Sequence, residues 1–114
     1  MLIVQYIHDN DVSVADSKVK SVAEEFLDCI TFSERKVVQI SQVLMIDAIR
    51  SVLVEKQIDP SLVVIEVYNE ENELVERVSI TDSYCLTSWD NIPAVQIDFL
   101  KILCKSGKYA PGNP

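Results

Sequence analysis

The sequence predicts an α/β fold in the order β-α-β-α-β-β-α: a mainly parallel sheet with a terminal antiparallel hairpin and helices packed on the sheet. Three observations predict it. Short apolar runs alternate with stretches of helical periodicity through the first half of the chain, the pattern that builds parallel strands joined by helical crossovers. Two further strand-like runs then flank Asn69-Glu70-Glu71-Asn72, a turn by composition. The length of 114 residues and a hydrophobic content of 48% suit one core of this kind and leave no room for a second.

Leu2–His8 is a short apolar run that reads as a buried strand, ending in the polar cluster His8-Asp9-Asn10-Asp11. From about Asp16 to Ile30, Val19, Val22, Ala23, Phe26, Leu27 and Ile30 recur at helical spacing and leave Lys18, Lys20, Glu24, Glu25 and Asp28 facing water. Arg35–Ile40 predicts a second strand. Ser41 is placed to cap a second helix running to about Gln57. That helix is apolar around most of its circumference, so it is either the central helix of the fold or meets another chain, a homo-oligomer included. Asp59-Pro60 ends it. Leu62–Tyr68 and Leu74–Ile80 form the hairpin, Thr81–Ile92 a loop, and Pro93 opens a last helix to about Lys105. Residues 1–105 thus make a single α/β domain. Ser106–Pro114 holds both glycines and two prolines and reads as a flexible C-terminal tail. The expected core is Val22, Phe26, Leu27, Ile40, Ile46, Ile49, Leu53, Val64, Val67 and Ile97.

The net charge of −8 is concentrated. Residues 59–98 carry nine acids against Arg77, and the remainder of the chain is balanced. A field of one sign repels nucleic-acid phosphates and attracts basic partners, although acidic loops also simply keep a small protein in solution. Cys29, Cys85 and Cys104 are odd in number with no CxxC, which argues against a disulfide framework and fits a reducing, cytoplasmic setting. Cys29 and Cys104 fall in apolar helical patterns, where cysteine is commonly a small buried hydrophobe. The apolar start is too short for a signal peptide, and no apolar run is long enough to span a membrane.

The only glycines are Gly107 and Gly112, so no phosphate-binding loop can be written, and the single histidine, His8, cannot supply a typical zinc site. No cofactor or metal is expected. The sharpest chemical candidate is Asp9 with Asp11, two carboxylates after the first strand, where α/β folds place ligands. They resemble the DxDx[TS] loop of haloacid-dehalogenase-type phosphotransferases, which implies a nucleophile at Asp9 and an acid/base at Asp11. The paired acids that family places after a later strand are missing.

The order of elements over residues 17–105 resembles the C-terminal half of the ABC-type AAA ATPases of bacterial defence and repair systems. Lys36–Ile40 stands for the switch strand, Ile58-Asp59-Pro60-Ser61-Leu62-Val63 for the link after the long helix, and the acidic hairpin and Trp89 follow in order. The catalytic positions depart: His8-Asp9-Asn10 is not a Walker B ending, and Ser41-Gln42 stands where a Thr-His pair would be. The resemblance implies a catalytically inactive half-domain used for binding.

Two functions from different classes follow. The first is a non-catalytic accessory, inhibitor or immunity-type subunit that meets a basic-surfaced protein through Glu66, Glu70, Glu71, Glu73, Glu76 and Trp89, with Tyr109 a further aromatic anchor. It binds neither nucleic acid nor membrane. The second is a small magnesium-dependent phosphotransferase or hydrolase using Asp9 and Asp11.

Overall fold

The computed structural model describes residues 1–88. The last helix, the tail, Trp89, Ile97, Cys104 and Tyr109 of the sequence reading lie outside them. The elements are β1 (Leu2–Tyr6), α1 (Val19–Leu27), β2 (Lys36–Ile40), α2 (Val43–Lys56), β3 (Val63–Tyr68) and β4 (Leu74–Ser79), with single 3₁₀ turns at Asn10–Val12, Asp16–Lys18 and Pro60–Leu62. They build an α/β fold with a mixed sheet of order β2-β1-β3-β4. β1 lies parallel to both neighbours, and β4 runs antiparallel to β3.

The register divides the sheet into two faces. Leu2, Val4 and Tyr6 align with Val63, Ile65 and Val67, and Ile40 and Val78 join them on one face. This face packs in a single core with Val19, Ala23 and Leu27 of α1 and with Met45, Ile46, Ile49, Val52 and Leu53 of α2. Both helices therefore cover the same face. From β1 the chain crosses to β2 and then returns past β1 to β3, so two crossovers on one face have opposite hands, a rare combination. The other face keeps Ile3, Gln5, Val37, Gln39, Val64, Glu66 and Arg77.

α2 is the central helix, with Met45 through Val54 all buried, Asp47, Arg50 and Ser51 included. The polar members are held: Arg50 Nη1 donates to Asp47 Oδ1 at 3.1 Å and its Nε to the Tyr84 carbonyl at 2.7 Å. Of the two roles the sequence left open for this helix, the burial of Met45 through Val54 accords with the central one. Gln42, rather than Ser41, precedes the helix, and it makes no side-chain cap. α2 ends at Gln57, whose left-handed backbone (φ 54°) lets its N–H reach the Leu53 and Val54 carbonyls.

Several local expectations shift. α1 is shorter than Asp16–Ile30, because Asp16–Lys18 winds as 3₁₀ and Asp28 is extended. Cys29 follows that end with φ 57° and is exposed, so it is not the buried helical cysteine the pattern suggested. Val22 and Phe26 pack at the margin of the core rather than inside it. Val64 is half-buried on the opposite face, because strand alternation sends it away from Val63 and Ile65. No helix among the described residues is long and apolar enough to cross a membrane.

Candidate interaction surface

The hairpin tip is built by Asn69. Its backbone N–H donates to the Glu73 carbonyl at 2.9 Å, and its side-chain Oδ1 accepts from the Glu71 and Glu73 N–H groups at 3.0 and 2.9 Å. Asn72 takes the left-handed conformation (φ 61°) and donates its N–H to the Asn69 carbonyl. A side-chain acceptor for two successive turns fixes the loop without apolar packing, and it leaves Glu70, Glu71 and Glu73 exposed. Past the turn the register slips between Val67 and Tyr68. Tyr68 then faces Leu74, Val67 faces Glu76, and Val75 is the extra residue of a bulge. Leu74 and Val75 are 42% and 46% exposed. The tip thus sets two apolar side chains beside carboxylates, with Glu76 half-buried on β4.

Glu66 is placed differently from the other acids of this group. It is 8% exposed and belongs to a polar row across the sheet face opposite α1 and α2. Gln39 Nε2 donates to Gln5 Oε1 (3.3 Å), Gln5 Nε2 to Glu66 Oε1 (3.2 Å), and Arg77 Nε to Glu66 Oε2 (3.3 Å), which links all four strands. The Tyr68 hydroxyl donates to Glu66 Oε1 as well. Desolvation by itself would raise the Glu66 carboxyl, but the bonds from Gln5, Arg77 and Tyr68 and the Arg77 charge outweigh it, so Glu66 titrates below its ordinary range. Tyr68 moves the opposite way, raised by desolvation and by the neighbouring Glu66 charge. Beside this row lie Val37, Ile3 and Val64, paired across three strands. Ile3 and Val64 border a groove of about 380 Å³ that Phe32, Arg35 and Met1 also line. Sequence reasoning counted Glu66 among the exposed acids; continuing the register of the turn would set Glu76 opposite it, and only the bulge at Val75 brings Arg77 there, so neither Arg77 nor Gln5 was visible as its partner.

Asp9 and Asp11 lie at the C-terminal end of β1, the expected place, but their geometry is that of a turn. Asp9 Oδ1 accepts from the Asp11 N–H at 2.9 Å, and the following residues wind as 3₁₀. Among the described residues no group of three His, Cys, Asp or Glu side chains is arranged to hold a metal ion. The neighbouring Ser41 and Gln42 serve the same loop. Gln42 accepts from the Val14 N–H at 2.8 Å and donates to the Val14 carbonyl at 2.7 Å, and the Ser41 and Ser13 hydroxyls are 3.0 Å apart. The amide of Gln42 stands in for a paired strand and ties residues 9–18 to the β2–α2 junction.

What this surface can do chemically is bind: a fixed, acidic, partly apolar tip at one end of the sheet, and a polar row over half-covered aliphatic residues on the face opposite α1 and α2. No protein-family model matches the chain, and no curated protein and no solved structure matches it at a significant level.

Proposed function

We propose that this chain is a non-catalytic interaction subunit, of accessory, inhibitor or immunity type, that docks its β3–β4 tip onto a basic-surfaced protein in the cytoplasm. The observation that carries this role is the rigid turn at Asn69, which holds exposed Glu70, Glu71 and Glu73 next to exposed Leu74 and Val75. Interfaces place apolar anchors at the centre and polar groups around them, and rim charges of one sign act mainly on the encounter rate. Leu74 and Val75 supply apolar anchors beside these charges, in addition to the Trp89 that the sequence proposes and that lies outside the described residues. An inactive half-domain like that of the defence ATPases is in keeping with this role, since Ser41 and Gln42 are engaged with the 9–18 loop.

The test compares immobilised wild type with a Glu70→Lys, Glu71→Lys, Glu73→Lys variant and with a Leu74→Ser, Val75→Ser variant, using extract of the source cell. A basic protein should be retained by wild type at low salt, released by about 0.5 M salt, where screening is nearly complete, and lost from both variants. Retention of the same proteins by all three would exclude the tip. Magnesium-dependent phosphatase activity abolished by Asp9→Asn would replace this role with the catalytic one.

A further inference from the structure

The two edges of the sheet are treated very differently. The β4 edge is closed: a bulge interrupts it at Val75, Ile80 bridges to Leu86, the Thr87 N–H donates to the Ser79 carbonyl, and the Ser79 N–H donates to the Thr87 hydroxyl. Bulges and covering segments of this sort prevent strand addition. Among the described residues, the β2 edge has none of them. Lys36, Val37 and Gln39 are exposed, the strand contains no proline, and its single charge is Lys36 at one end.

The hydrogen-bond phase of β2 follows from its ends. The Lys36 N–H donates to the Met1 carbonyl, and the Ile40 carbonyl accepts from the Ile7 N–H. In a parallel pair, alternate residues turn both backbone groups to the same neighbour. Lys36, Val38 and Ile40 therefore face β1, and Val37 and Gln39 direct their N–H and C=O groups outward. Those two residues lie symmetrically about Val38.

We infer that β2 is a self-complementary edge, on which a second copy of this chain pairs antiparallel with Val38 on the two-fold axis. In that register Val37 of each copy meets Gln39 of the other in reciprocal hydrogen-bonded pairs, and Val38 meets its own counterpart in the closer non-hydrogen-bonded position. Every outward backbone group of the strand is satisfied. The half-exposed Val37 gains cover from the Gln39 stem, and Lys36 lies opposite Ile40 rather than opposite the other Lys36. The axis stands perpendicular to the sheet, so the helices of both copies share one side and the opposite faces join on the other. The hairpin tips lie at the two far ends, which leaves the proposed partner surface free. An edge of five residues buries less than the roughly 1,200 Å² typical of stable complexes. The dimer is accordingly weak and reversible.

Sedimentation equilibrium of the full chain from about 10 μM to about 1 mM, the range of weak association, should show the average mass rising from 12.9 kDa towards twice that value. Val37→Pro removes an outward N–H without touching the β1 ladder; it should keep the far-UV spectrum and remain monomeric throughout. Cross-linking reads the register directly. With all three native cysteines changed to serine, Val38→Cys should oxidise to a covalent dimer at least tenfold faster than Gln39→Cys, because only position 38 faces itself at disulfide distance. A wild type that is monomeric across the range, a dimer indifferent to Val37→Pro, or equal oxidation rates at 38 and 39 would each overturn the inference. Should Val37→Pro fail to fold, the ratio of oxidation rates decides alone.

Discussion

Replacing Arg50 by methionine tests how the central helix tolerates polar groups in its buried stretch. Arg50 is 1% exposed and Asp47 0%, and the Arg50 guanidinium serves both the Asp47 carboxylate and the Tyr84 carbonyl. Methionine keeps the aliphatic stem and removes the charge. Breaking one side of a buried pair costs about 3–5 kcal/mol, and an unsatisfied buried carbonyl about 1–3 kcal/mol. Both losses arise from one side chain and overlap, so about 4–6 kcal/mol is expected. That is a large part of the roughly 5–15 kcal/mol a domain of this size holds. With a urea slope near 2 kcal/mol/M, the unfolding midpoint should fall by about 2–3 M. A double-mutant cycle with Asp47→Leu isolates the pair, and Arg50→Met with Asp47→Leu should cost less than the sum of the two single variants by about 1–3 kcal/mol. A loss below about 1 kcal/mol, or a double variant that simply adds the two single effects, would refute the buried pairing.

Phe26 lies at the core margin, so Phe26→Ala should cost about 1–2.5 kcal/mol in urea unfolding, less than the 3–5 kcal/mol of a fully buried ring. Gln57→Gly relieves a left-handed non-glycine position at the end of α2 and should raise stability by about 0.5–1 kcal/mol, a gain of a few degrees in Tm by calorimetry. Glu66 titrates lower in the folded protein than in the unfolded chain, so its contribution is present above the ordinary carboxylate value and is lost as pH falls through the depressed one. Tm measured against pH should therefore show a shallower acid limb in Glu66→Gln than in wild type.

The element order up to the hairpin was legible because each element carries its own period: the i, i+3, i+4, i+7 spacing of Val19, Val22, Ala23 and Phe26, and the apolar runs at Leu2–Val4 and Val63–Ile65. The hairpin was legible from the Asn-rich turn. Element ends were less so, since Asp16–Lys18 fits a helical pattern yet winds as 3₁₀, and nothing in the residues around Cys29 announces its left-handed backbone. The faces of the sheet are not a local property. Alternation says that Val64 opposes Val63, but not that both helices cover Val63, nor that Gln5 and Glu66, 61 positions apart, share a hydrogen bond. Composition likewise showed the acidity of the hairpin and could not separate the buried Glu66 from exposed Glu70, Glu71 and Glu73. The role of Asn69 is the exception: an Asn four residues before Glu73, ahead of a second Asn, is a turn signal readable from sequence.

Hydrogen–deuterium exchange on the complex with the basic protein retained by wild type tests the docking role of the tip most directly. Amides of residues 70–76 should exchange more slowly in the complex than in the free chain, and that protection should disappear in about 0.5 M salt together with the complex. Protection elsewhere on the chain, with residues 70–76 exchanging as they do in the free protein, would contradict it.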